Sequence, residues 1–280
     1  MNSKRLTLII VICLFLQACG IKFWYNRLDW LVPWYVDDYV ELTSSQESAL
    51  EQLMLDKTQW HRTTQLPLYI NMLENMIADV ESNNIANSYD QYAEQMKQFY
   101  QSIANQLIDD LMVQMAQLSD QQVTELLDNL SKEANKQQKK YQKHSPEQRL
   151  AKVIDNLEDN YSDWTGRLSK AQKSLIKEWA QQIKPTADLV YEFRAQWRDA
   201  LLTSLRERST PTGQKVIKQL LLDSQQLKSE QLNNHQTFNE QLEKQYMLKL
   251  LDSLSEKQKK KVIKKLRDYQ EDFEDLLSQD

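Results

Sequence analysis

The chain has 280 residues, carries 35 Lys and Arg against 40 Asp and Glu for a net charge of −5, and has a mean hydropathy of −0.69, too hydrophilic for a multispan membrane protein. Its three glycines and five prolines fall far below the roughly 7% Gly and 5% Pro of average usage, which excludes β architectures that turn on those residues. The acidic balance argues against nucleic acid, because phosphate binding needs clustered Lys and Arg, and the one basic run, Lys257 to Lys265, reads as a solvated helix face followed by an acidic tail.

Residues 1–18 read as an address. Lys4 and Arg5 precede an apolar run of eleven residues, Leu6 to Leu16, too short for the roughly twenty that cross a bilayer. Leu16-Gln17-Ala18-Cys19 closes the run. It resembles the lipobox of bacterial lipoprotein signals, with Gln17 departing from the small residue usual there. The resemblance implies a cleaved signal over 1–18, a lipid on Cys19 with a tether to residue 22, and a periplasmic body over 23–280. Gly20 in place of Asp after the cysteine implies delivery to the outer membrane. The other cysteine, Cys13, falls within the removed part, so the mature chain has no disulfide and must be held by packing.

Seven aromatics follow within seventeen residues: Phe23, Trp24, Tyr25, Trp30, Trp34, Tyr35 and Tyr39. Two readings stand, a first core helix or contact with the headgroup region beside the lipid. Helical spacing of Leu28, Leu31, Tyr35 and Tyr39, and the repulsion Asp37 and Asp38 would feel at anionic headgroups, favour the core.

Helix starts then recur as Leu-[Ser/Thr]-x-x-Gln: Leu42-Thr43 with Gln46, Leu118-Ser119 with Gln122, Leu168-Ser169 with Gln172, and Leu254-Ser255 with Gln258. A fifth, Ser145 with Gln148 and Pro146, lacks the leading Leu. Each predicts a capping box, the hydroxyl accepting from the N3 amide while the N3 Gln accepts from the cap amide. Their unequal separations exclude a fixed-period solenoid. The Thr43 helix is expected to break near Gln65, ahead of Pro67. Apolar stripes of helical period follow: Tyr89, Tyr92, Met96, Phe99, Ile103, Leu107, Leu111, Met115 and Leu118 as one long helix; Val190 to Leu205 after Pro185; Phe238 to Leu250; and Val262 to Leu276. Gly166 sits where a helix C′ glycine belongs, and residues 208–214 offer a weak sub-boundary. The fold expected is all-α, a multi-helix bundle of long amphipathic helices with an elongated or arched form left open.

Tyr25 to Leu31, Trp34 to Tyr39, Leu42-Thr43 through Gln46, Trp60-His61-Arg62 and Leu66-Pro67 together resemble a bacterial lipoprotein family catalogued as domain of unknown function 6279, most densely over 16–70. That resemblance implies a lipoprotein and carries no activity. At the level of the Leu-Thr-x-x-Gln motif alone the chain is also similar to the periplasmic proteins Spy and CpxP, helical dimers that cradle unfolded chains.

The histidines His61, His144 and His235 are scattered with no metal-ligand spacing, so no metal or cofactor is expected. Trp60-His61-Arg62 reads as a packed Trp beside two solvated polar residues, and as an alternative a binding triplet. Asp37-Asp38 and Asp109-Asp110 point about 100° apart on a helix and do not converge as an acid–base pair must. With no Gly-rich loop and no nucleophile elbow, the expectation is a non-enzymatic protein. It would be held at the membrane by its lipid and offer grooves or a concave face of its helices to another envelope protein, as a chaperone-like or assembly factor; Trp30, Trp34, Tyr35, Asp37, Asp38, Tyr39, Trp60, His61 and Arg62 are candidates for an interaction or a core motif. A structural envelope component, or an enzyme acting on an envelope substrate, are the alternatives.

Overall fold

The computed structural model describes residues 20–279; Cys19 and the lipobox residues Leu16, Gln17 and Ala18 lie outside the described residues. The described chain is all-α. Its helices are α1 (Gly20–Tyr25), α2 (Leu28–Asp37), α3 (Ser44–Thr64), α4 (Leu66–Glu81), α5 (Tyr89–Ala116), α6 (Asp120–Gln142), α7 (Pro146–Thr165), α8 (Lys170–Gln182), α9 (Ala187–Arg206), α10 (Pro211–Leu222), α11 (Glu230–Asp252) and α12 (Glu256–Leu277), with a 3-10 turn at Gln225–Leu227.

Boundaries follow cap chemistry. Thr43, Ser119, Ser145, Ser169 and Ser255 each accept from the backbone N–H of the glutamine three residues on, at 3.1–3.3 Å. Each glutamine Oε1 in turn accepts from the cap residue's N–H at 2.9–3.0 Å. All five expected starts are therefore true capping boxes. The break before Pro67 also stands: α3 ends at Thr64, Gln65 caps it, and α4 restarts at Leu66 with Pro67 in its first turn, where a missing donor is tolerated. Gly166 terminates α7 as its C-cap, with φ 83° and ψ −149° and its N–H donating to the Ser162 carbonyl. That is a glycine conformation, but not the C′ position expected. Residues 208–214 hold no boundary, because Thr210 caps α10 by accepting from Gly213 N–H at 3.1 Å, inside one compact unit.

The chain forms two compact units. The first gathers residues 20–65, 98–139 and 188–229; the second gathers 66–97, 140–187 and 230–279. If the sequence is halved at residue 139, each unit consists of one half's outer segments and the other half's middle segment. The halves also match in order, a Leu-[Ser/Thr]-x-x-Gln helix standing just before the middle segment of each and another ending each half.

The first unit's core joins Met112, Leu118, Val123 and Leu127 to Leu201, Leu205, Ile217 and Leu220, with Trp197 packed against it and its indole N–H donating to the Leu220 carbonyl at 2.9 Å. The second unit has two cores. One unites Tyr161, Ile176 and Trp179 with Leu242, Tyr246 and Leu250, where Trp179 and Tyr246 stack at 6.2 Å. The other sets Leu73, Ile77 and Val80 of α4 against Leu266, flanked by Val262, Tyr269 and Phe273 of α12. The stripes of α11 and α12 are thus core faces as expected. On α5 the buried residues are Tyr92, Ile108, Met112 and, just past its end, Leu118, whereas Met96 is 56% exposed. The chain passes from one unit to the other at Lys97–Gln98, so Tyr92 and Met96 belong to the second unit and Ile108, Met112 and Leu118 to the first.

Candidate functional site

The capping glutamines do more than cap. Gln46 and Gln122 exchange carboxamide hydrogen bonds, Nε2 to Oε1 at 3.2 and 2.7 Å, and Gln172 and Gln258 do the same at 3.0 and 2.9 Å. The second N–H of each goes to the carbonyl five residues before its partner: Gln46 to Gln117, Gln122 to Glu41, Gln172 to Ser253 and Gln258 to Arg167, at 2.8–3.3 Å. Each unit therefore holds one two-fold-like clasp of two helix starts, buried from water, in which the amide donors and acceptors are paired. Gln148, whose start lacks the leading Leu, is exposed at a cap that faces solvent and joins no such clasp. The missing Leu was the sequence signal that separates the four from the fifth.

The aromatic segment lies in the first unit, with α2 packed on α3. Tyr25 hydroxyl sits 3.0 Å from His61 Nδ1 and 3.2 Å from the Thr58 carbonyl, and Arg62 donates to Asn26 Oδ1 at 2.7 Å with its guanidinium over the Tyr25 ring. His61 and Arg62 are half-buried and grip α1, so the reading of two solvated residues beside Trp60 is corrected. Burial pushes the His61 pKa down to about 4, so the imidazole stays neutral at pH 7. Trp60 is half-buried beside it, ring centroids 6.3 Å apart.

The remaining candidates divide. Tyr35 and Tyr39 lie together, half-buried, with hydroxyls 3.4 Å apart, and the Tyr39 carbonyl accepts from Asn129 of α6 at 3.0 Å. Asp37 and Asp38 are exposed at the end of α2. Trp30 and Trp34 stack on each other at 6.1 Å and are 54% and 43% exposed, and Phe23 is 49% exposed under the Arg27 guanidinium. The core reading holds for Leu28, Leu31, Tyr35 and Tyr39, all half-buried, and fails for Phe23, Trp30 and Trp34.

No group of three His, Cys, Asp or Glu that could hold a metal occurs among the described residues. Asp109 and Asp110 diverge, Asp109 to Lys218 of α10 and Asp110 to Lys57 of α3, each at 2.5 Å. Beside Asp109 an open groove of about 680 Å³ runs between α5 and α10, lined by Met112, Val113, Ala116, Pro211 and Lys218. Among the described residues no helix is long and apolar enough to cross a membrane.

The family described as "Family of unknown function (DUF6279)" matches residues 38–233, which is 196 of the 280 residues. The chain belongs to DUF6279. The DUF6279 match takes in Trp60-His61-Arg62 and the starts at Thr43, Ser119 and Ser169, while the aromatic segment before Asp38 and the Ser255 start lie outside it. No curated protein and no solved structure matches the chain.

Proposed function

We propose that this DUF6279 protein is a non-enzymatic, lipid-anchored envelope factor at the outer membrane that binds other proteins in the manner of a chaperone or assembly factor. The observation that carries the reading is the groove between α5 and α10 in the first unit. Val113, 57% exposed, forms an apolar strip there with Met112, Ala116 and Pro211, and the Asp109–Lys218 pair marks its rim. A segment with an apolar face fits such a trough, as amphipathic helices fit hydrophobic grooves. The Leu-[Ser/Thr]-x-x-Gln starts add a motif-level likeness to Spy and CpxP, and the Leu16-to-Cys19 signal supplies the anchor. A photo-reactive residue at Val113 in the intact cell should capture envelope proteins, and the purified protein should suppress aggregation of a reduced client. If Val113 captures nothing and aggregation is unaffected, the reading is lost. Should deletion instead weaken resistance to detergent without any client effect, the alternative of a structural envelope component is favoured.

A further inference from the structure

We propose that the face bearing Phe23, Trp30 and Trp34 seats in the headgroup layer of the bilayer, so that the first unit lies against the membrane in a fixed orientation; this rests on the reading of Cys19 as the lipid-bearing residue. Of the described large apolar residues that are well exposed, the aromatic ones are Phe23, Trp30, Trp34 and Tyr100, so three of four fall within twelve residues. Trp30 and Trp34 are exposed one turn apart on α2 and stack on each other, and Phe23 of α1 is exposed under the Arg27 guanidinium, across the short break at Asn26 and Arg27. The opposite side of this segment is already committed. Leu28, Leu31 and Pro33 turn inward, α2 packs on α3, and Tyr25 and Asn26 are held by His61 and Arg62.

Position and charge identify the occupant as a lipid surface. Only three residues, Gly20, Ile21 and Lys22, separate Cys19 from Phe23, and even Trp34 lies within roughly 22 Å of chain from it at helical rise. A face so near an acyl anchor meets headgroups before anything else. Indole and phenyl rings favour that layer. The basic residues Lys22 and Arg27 flank Phe23 at the anchor end, where lipid phosphates would lie, while Asp37 and Asp38 stand at the far end beyond Trp34. Beside the anchor the basic side chains attract anionic headgroups, with the acidic Asp29 half-buried between them and Trp30, and the exposed acidic pair stands at the end away from the anchor.

The test makes the tether chemical, so that its failure is separable from failure of the Cys19 reading. The chain from residue 19 onward has Cys19 as its sole thiol. Coupled there to a maleimide-bearing lipid in vesicles of phosphatidylethanolamine and phosphatidylglycerol, it is tethered however the cell treats Cys19. Lipids brominated near the interface should quench two of its seven tryptophans. The double variant Trp30→Phe, Trp34→Phe, which keeps the face apolar and removes the reporters, should lose that quenching with unchanged helicity. Tethered protein that brominated lipid leaves unquenched overturns the proposal, as does quenching that survives in the double variant. A dimer in solution that the pair Trp30→Ser, Trp34→Ser dissolves would also overturn it, by giving the face to a second copy. Independently, a Cys19→Ser protein of unchanged mass and membrane attachment would remove the anchor on which the orientation depends.

Discussion

Removing the carboxamide of Gln172, 1% exposed, strands Gln258, the Ser253 carbonyl and the Ser169 amide at once. Buried polar groups left without partners cost about 1–3 kcal/mol each, so Gln172→Leu is expected to destabilise the second unit by about 2–4 kcal/mol in denaturant unfolding. The same change at Gln148, which caps but clasps nothing, should cost only about 0.5–1 kcal/mol. Capping was legible in the sequence because its two partners stand three residues apart. The clasp was not, because its partners stand 76 and 86 residues apart. His61 yields a second prediction at this scale. Its folded pKa of about 4 lies below the unfolded 6.5, so the unfolded chain takes up the proton first. The stability is complete above pH 6.5 and drains as pH falls toward 4, by about 2 kcal/mol once the residue's partial exposure is allowed for. Unfolding midpoints of the first unit measured across that window should fall in the wild type and stay flatter in His61→Gln.

Helices are where sequence reasoning succeeds most fully, because caps, proline breaks and apolar period act within a few residues. The break at Gln65 and the faces of α11 and α12 follow from such local rules. The rules fail where a helix meets unlike neighbours along its length. Met96 satisfies the period of α5 and is nonetheless exposed, and Trp30 and Trp34 satisfy the aromatic density of a core helix while facing outward. Periodicity gives the spacing of a face and does not say what, if anything, covers it. At the end of α7, Gly166 holds a positive φ, and a Cβ there would also come to 3.3 Å from the Lys261 side chain. Gly166→Ala should therefore cost about 1–3 kcal/mol by thermal or denaturant unfolding. An Ala→Gly change at the exposed Ala151 of the same helix would act only through helix propensity, at about 1 kcal/mol.

At the scale of the molecule, the reciprocal use of 66–97 and 188–229 lay beyond reach of pattern reading, because nothing local in α4 or α9 says which half's core will cover it. Without Leu73, Ile77 and Val80 of the first half, the second unit leaves Leu266 uncovered; without Leu201, Leu205, Ile217 and Leu220 of the second half, the first unit loses half its core. Severing the chain at His144, between α6 and α7, should consequently give two fragments that fail to fold separately and associate when co-expressed, a result that co-purification and circular dichroism would show. Fragments that each fold alone, or that ignore one another, would refute the mutual dependence. The same arrangement governs how the protein comes into being. A ribosome delivers the chain from its N-terminus, and the first unit cannot close until residue 229 has emerged, nor the second until α12 has. Through most of its own synthesis the nascent chain carries helices whose apolar sides have no cover, and the two units become complete late and nearly together.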